Sequence, residues 1–276
     1  MRERVTLTLD AELLKQIDSS VDGHEIKNRS HAIEMLLLKA LGGNQPRKAL
    51  ILAGGKNNPL KEITGKAPKV LAPINQTPVI VHVIELFKRY GVKEILIAVH
   101  QDAEQIVKFF EGRDLGVKIS FLQERFPLGT AGSLKLARPY LTSTFYMANG
   151  DELKSINLAD MYSFHRDHQG MVTIALTTVD DPSKYGVANL TGNHILDFVE
   201  KPKKQNAPSN LINAGLYIME PEVIDYVPEG FARLENDVFP KLARENKLIG
   251  YAFSGQWFSL DSVDDYRKAE KKWKQI

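Results

Sequence analysis

Ala49-Leu50-Ile51-Leu52-Ala53-Gly54-Gly55 is an apolar run that stops on two glycines. A run this short, bounded by breakers, reads as a strand buried on both faces. The same signal returns at Ile95-Leu96-Ile97-Ala98-Val99 and at Phe145-Tyr146-Met147-Ala148. Between these runs, Val79 to Tyr90 and Ala103 to Phe110 space their apolar residues at helical intervals. Alternating strands and helices predict an α/β architecture, a parallel sheet with helices on both faces. Ligands of such sheets bind beyond the carboxyl ends of the strands. Gly54 and Gly55 fall at such an end, where a missing Cβ lets the backbone approach a ligand.

The 276 residues are 43% hydrophobic and 25% charged, which fits a folded protein and excludes a disordered or collagen-like one. A formal charge of +2 gives no overall pull towards nucleic acid. Cysteine is absent, which excludes a disulfide framework, a thiolate nucleophile and a Cys-based zinc site. No apolar run is long enough to span a membrane, and Met1-Arg2-Glu3-Arg4 does not open a secretory leader. A cytoplasmic protein with no membrane partner is expected.

Gly42-Gly43-Asn44-Gln45-Pro46-Arg47 holds no apolar residue and separates two unequal parts. The expected division is 1–42, a linker at 43–47, and 48–276. In the first part, Arg4-Val5-Thr6-Leu7-Thr8-Leu9 alternates, with Val5, Leu7 and Leu9 on one face and Arg4, Thr6 and Thr8 on the other. Asp10 suits the cap of a helix carrying Leu13, Leu14 and Ile17. Asn28 suits the cap of a second, carrying Ile33, Leu36, Leu37, Ala40 and Leu41. A lone strand lacks a ladder partner, and so short a unit rarely buries enough surface to fold alone. Pairing with the strand of a second copy removes both difficulties, so a homodimer is expected.

This β-α-α pattern over residues 2–42 resembles the ribbon–helix–helix DNA-binding domain of prokaryotic repressors. The resemblance implies that Arg4, Thr6 and Thr8 read bases of double-stranded DNA from the major groove. It also implies that Asn28, Arg29 and Ser30 hold the DNA backbone at a helix N-terminus. Residues 1–42 carry six Lys and Arg against seven Asp and Glu, so basic charge has to gather on the ribbon face. A ribbon that only dimerises is the other reading.

In the larger part, Leu52-Ala53-Gly54-Gly55 is followed by Leu60, Thr64 and Pro68-Lys69-Val70-Leu71-Ala72-Pro73-Ile74. Glu124, Pro127-Leu128-Gly129-Thr130-Ala131-Gly132, Asn149-Gly150-Asp151 and Tyr185-Gly186-Val187 come next. Phe198-Val199-Glu200-Lys201-Pro202, Asn213-Ala214-Gly215, Glu235 to Pro240 and Trp257 to Tyr266 close the series. In this order they resemble the sugar-phosphate nucleotidyltransferases, most of all the mannose-1-phosphate guanylyltransferase-like branch. The resemblance implies a Rossmann-like domain with a mixed, mostly parallel sheet. It further implies that Leu52, Ala53, Gly54, Gly55, Glu124, Gly129 and Thr130 hold the nucleoside and that Lys69 meets phosphate. Gly186, Glu200, Lys201, Asn213 and Gly215 would hold the sugar phosphate, and Asp151, with Asp261, would ligate Mg²⁺.

Two positions depart from that family. Its loop after the paired glycines usually reads Gly-x-Gly-x-Arg-Leu, with the arginine on the triphosphate. Here Asn57 takes the glycine's place and Pro59 the arginine's. Proline has neither charge nor donor, and losing one such contact slows a reaction by roughly 10²–10³. Many members also carry Trp-x-Asp, where this chain has Trp257-Phe258-Ser259. Asp261 then either takes over as metal ligand or caps the helix beginning at Val263. Together these features predict a dimeric DNA-binding transcriptional regulator. Its larger domain would sense a nucleotide sugar, nucleotide or sugar phosphate, with catalysis weak or lost. The alternative is an active nucleotidyltransferase that forms a nucleotide sugar and pyrophosphate from a nucleoside triphosphate and a sugar 1-phosphate.

Overall fold

A computed structural model describes residues 5–23, 26–40, 45–55, 58–100 and 103–274. The chain forms two compact units, Met1–Gln45 and Pro46–Ile276.

The smaller unit contains helices Ala11–Ser19 and Arg29–Ala40. Asp10 caps the first helix by accepting from the backbone N–H groups of Glu12 and Leu13. Ile17 and Ala32 are buried, while Val5, Leu7, Leu13, Leu36 and Leu37 are exposed. Described residues 5–10 form no ladder within the chain; the strand expected at 4–9 depends on a partner strand from a second copy. Arg4 lies outside the described residues. Thr6 and Thr8 are exposed. Arg29, expected on a DNA phosphate, forks onto Asp18 with Nε–Oδ1 2.6 Å and Nη2–Oδ2 2.5 Å, a bidentate pair that engages two of its five N–H donors. Asn28 accepts from the N–H of His31 at 3.0 Å, and Ser30 is exposed.

The larger unit is built on a sheet with nine described strands. They are Lys48–Leu52 (β1), Glu94–Val99 (β2), Lys118–Gln123 (β3), Phe145–Asn149 (β4), Val172–Thr178 (β5), Gly186–Thr191 (β6), His194–Glu200 (β7), Leu211–Met219 (β8) and Leu248–Ala252 (β9), in the spatial order β3-β2-β1-β4-β8-β5-β9-β7-β6. Neighbours β3, β2, β1 and β4 run parallel. The sheet is more antiparallel than expected, because β8 runs antiparallel to both β4 and β5, and β7 to both β9 and β6. Only β5 and β9 add a further parallel pair.

Successive side chains along a strand face opposite sides of the sheet, and each side has its own core. Leu50, Leu96 and Met147 pack under Leu134, Phe239 and Leu242. Ala49, Ile51, Ile95, Ile97 and Tyr146 pack under the helix Val79–Arg89, through Ile80, Val83, Ile84 and Phe87. A third cluster joins Leu60, Ile74, Leu153 and Leu260 to Tyr266 and Trp273 at the C-terminal helix Val263–Lys272. It binds the loop after β1 to the chain's last helix, which brings residues near 60, 150 and 260 together. No helix among the described residues is long and apolar enough to cross a membrane.

Candidate active site

The carboxyl ends of β1 and β4 open into a cleft of about 610 Å³. Of the nucleoside candidates, Leu52, Gly54, Gly55, Glu124, Gly129 and Thr130 line it. Ala53 is buried instead, its N–H donating to Ala98 O at 2.8 Å across the sheet. Gly186, Glu200, Lys201 and Asn213 line it from the sugar-phosphate set, as do Asp151 and Asp261. Gly215 lies behind that wall, where its peptide supports Asn213: Gly215 N–H donates to Asn213 Oδ1 at 2.9 Å. A groove of about 740 Å³ adjoins the cleft and shares Tyr185 with it. That groove contains none of Asp151, Glu200, Lys201 or Asp261, which all line the cleft.

Lys69 does not line the cleft but ties its acids together. Its Nζ lies 2.6 Å from Asp151 Oδ2 and 3.0 Å from Asp261 Oδ1. Burial works to lower the Lys69 pKa, and the two carboxylate charges outweigh it and hold the ammonium well above its usual range. Asp261 is not the cap of the C-terminal helix; Ser262 is, its Oγ accepting from Asp265 N–H. Two carboxylates converging on one cation form a donor set that also suits a hard divalent ion.

At the other wall, the buried Glu124 carboxylate accepts from Leu128 N–H at 3.0 Å and Ser133 Oγ at 2.5 Å, which fixes the turn into Gly129. Gly129 has φ +76°, and a Cβ there would meet Ala232 O at 2.3 Å. Thr130 Oγ1 donates to Glu235 Oε2 at 2.9 Å and accepts from Leu234 N–H at 2.9 Å. Burial pushes Glu235 and Glu200 above the usual carboxylate range, and the charge of Glu235 adds to the shift of Glu200. Lys201 and Arg233 partly offset both.

Sequence reasoning passed over several lining residues: Asn149, Glu152, Tyr185, Phe231, Arg233 and Glu235. Asn149, Tyr185 and Glu235 lay inside motifs already singled out; Phe231 and Arg233 carried no local signal. Asn58 was also missed. Its Nδ2 donates to Thr64 Oγ1 at 2.9 Å and Ala67 O at 2.8 Å, and its Oδ1 accepts from Leu60 N–H at 3.0 Å. It therefore holds the loop that contains Pro59 in shape. Lys56 and Asn57 lie outside the described residues.

Residues 48–276 match the family described as Nucleotidyl transferase. The chain is 39% identical over 227 residues to mannose-1-phosphate guanyltransferase of Saccharomyces cerevisiae, covering 79% of this chain and 62% of that protein. It is 40% identical over 228 residues to mannose-1-phosphate guanyltransferase 2 of Candida glabrata, with the same shares covered. The chain thus spans about 62% of the length of the curated relatives it matches. Among solved structures, HddC from Yersinia pseudotuberculosis superposes with a TM-score of 0.72 at 27% identity, over 83% of this chain and 100% of that one.

These matches overturn the expectation of a DNA-binding regulator with a sensing domain. Proteins close to 40% identical over the larger unit are named for guanylyl transfer, and the family match runs through the Pro59 loop. Pro59 removes one guanidinium from a cleft whose lining comes from eight segments of the chain, and Asn58 is bonded to Leu60, Thr64 and Ala67 on the C-terminal side of that loop.

Proposed function

Residues 48–276 make this chain a member of the nucleotidyl transferase family, and from that premise we propose that it is a sugar-1-phosphate nucleotidyltransferase. The substrates proposed, GTP and mannose 1-phosphate, follow the names of its relatives. The observation that carries the reading is the joining, in one cleft, of Gly54 and Gly55, of Asp151 with Asp261, and of Glu200, Lys201 and Asn213.

In the proposed reaction an oxygen of the sugar phosphate attacks the α-phosphorus of the triphosphate. The new P–O bond forms as the bond to the β-phosphate bridge breaks, and pyrophosphate leaves with the electron pair. A phosphate monoester is largely dianionic near neutral pH, its second pKa lying at about 6, so the nucleophile needs no side-chain base. Catalysis then consists of alignment and charge neutralisation. Gly54, Gly55, Gly129 and Thr130 bring backbone groups to the nucleoside. Lys201 and Asn213 hold the sugar phosphate, and Glu200 accepts from sugar hydroxyls. Asp151 and Asp261 would hold Mg²⁺, which when bound neutralises charge on the phosphates. Lys69, released from the two acids, has its ammonium free to meet a phosphate oxygen.

Incubating the full chain with GTP, mannose 1-phosphate and Mg²⁺ tests this by pyrophosphate release, with other nucleoside triphosphates and sugar 1-phosphates as parallel arms. Turnover in the ordinary range of roughly 1–10³ s⁻¹ with at least one pair is expected. No release with any pair would end the reading.

For the smaller unit we propose a ribbon–helix–helix type module that associates with a second copy. The observation favouring it is the exposure of Val5 at 73% and Leu7 at 52% on a segment without a ladder partner. Sedimentation of the full chain at increasing concentration should give a dimer, which Val5→Asp together with Leu7→Asp converts to monomer.

A further inference from the structure

Lysine is rarely fully buried, yet the side chain of Lys154 is 1% exposed. It stands in the short strand Glu152–Lys154, which pairs antiparallel with Trp257–Ser259 directly after Asp151. Its Nζ donates to Gly215 O at 3.1 Å and lies 3.4 Å from Glu152 Oε2. Glu152 is spoken for as well: Oε1 accepts from Asn149 Nδ2 at 2.7 Å and Oε2 from Trp257 Nε1 at 3.1 Å. With a donor on each oxygen, Glu152 is held in place in the cleft wall beside Asp151.

The need for the anchor lies in β8. Its register against β5 shifts between Asn213 and Tyr217, so the ladder skips the residues between them. Gly215 sits in that gap at φ +58°, and a Cβ there would come within 2.6 Å of both Glu152 carboxylate oxygens. A buried carbonyl left without a donor is costly, and Lys154 is the donor. From Gly215 the chain of bonds continues through its N–H to Asn213 Oδ1, and Asn213 Nδ2 donates to Tyr217 Oη at 2.8 Å.

We infer that the buried Lys154–Glu152 pair is a positioning device that sets the Gly215 peptide, and through it the Asn213 side chain, for the sugar phosphate. The inference rests on the reading of the cleft as a sugar-1-phosphate site. Lys154 does not line the cleft, Glu152 lines it with both oxygens already bonded, and the nucleoside wall at Glu124 and Gly129 is not part of the network.

The test compares Lys154→Met, Glu152→Gln and the double variant with the unaltered chain. Removing one partner strands a buried charge and lowers Tm; removing both relieves that charge and recovers most of the loss, the unheld Gly215 carbonyl keeping Tm below that of the unaltered chain. The Gly215 carbonyl stays unheld in the double variant. Its KM for mannose 1-phosphate is therefore expected to remain raised, roughly 10- to 100-fold for one lost bond to a charged donor, with KM for GTP within about two-fold. If the double variant recovers both Tm and the sugar-phosphate KM, the pair is structural only and the inference fails. It fails equally if the KM values for both substrates move together. Should the unaltered chain release no pyrophosphate with any substrate pair, the proposed function is what has failed. The network is then read by hydrogen exchange: the Gly215 amide should exchange at least about ten-fold faster in the double variant, and unchanged exchange overturns the inference.

Discussion

The Lys69 ammonium sits 2.6 Å from the Asp151 carboxylate, which puts a protein cation in the place where the proposed reaction wants a metal. Asp261 completes the bridge at 3.0 Å. Lys69→Met therefore has opposite effects on two readouts. Without added metal the variant melts lower than the unaltered chain, because two carboxylates are left facing each other. Mg²⁺ then raises its Tm further than it raises that of the unaltered chain, since no ammonium has to be displaced and binding stabilises by mass action. Turnover falls despite the tighter metal. A variant whose Mg²⁺ affinity, measured by calorimetry, is weaker than that of the unaltered chain would show that Lys69 does not compete for the acids.

Asn58 ties the start of the Pro59 segment to Leu60, Thr64 and Ala67 through its side chain. Three contacts to Thr64, Ala67 and Leu60 depend on one amide. Asn58→Ala should lose about 1–3 kcal/mol of stability, the cost of leaving half-buried partners unsatisfied. The loop follows Gly54 and Gly55, so the kinetic effect is expected in KM for the nucleoside triphosphate, with KM for the sugar phosphate unchanged. Steady-state kinetics with each substrate varied in turn separates the two.

The parts of the fold that could be read from sequence are those whose environment is uniform. β1, β2 and β4 are buried on both faces and show as continuous apolar runs, and the helix Val79–Arg89 shows because one of its faces is buried. The direction of β8 could not be read, since an apolar run such as Leu211–Met219 looks the same whichever way its neighbours run. Lys154 was invisible for a different reason: its acceptor, Gly215, is 61 residues away, and only the folded chain shows why a lysine is buried there. The N-terminal segment carries its pattern plainly, but a ladder needs a second strand that one chain does not hold. Pro59 was over-read because a local substitution is easy to see, while the contacts that outweigh it are assembled from distant segments.

Gly129 admits no side chain. Its φ of +76° is already strained for an L-residue, and a Cβ would overlap Ala232 O at 2.3 Å. Gly129→Ala should destabilise by at least about 1–2 kcal/mol from the backbone alone. Displacing Ala232 also disturbs its two bonds to this turn, Ala131 N–H to Ala232 O at 3.0 Å and Ala232 N–H to Leu128 O at 2.8 Å. Nucleotide binding measured by calorimetry should be lost while the sheet, followed by far-ultraviolet circular dichroism, persists. Retained nucleotide affinity in a folded variant would remove Gly129 from the nucleoside wall.

Glu235 gives the chain a pH dependence that one substitution can remove. Burial raises its carboxyl pKa, and the Thr130 bond with the Arg233 and Lys201 charges only partly opposes this. The native state thus keeps a proton that the unfolded chain, with an ordinary Glu value of about 4.3, gives up. The stability linked to that proton is fully present below the unfolded value and is lost as pH rises through the raised native one. Gln cannot ionise and suffers no such loss. Glu235→Gln should therefore melt close to the unaltered chain in acid, gain on it as pH rises, and hold a constant advantage once Glu235 is fully charged. Thermal melts across that range read the difference directly. An advantage that shrinks with rising pH would mean that the charged form, not the neutral one, is what the folded cleft favours.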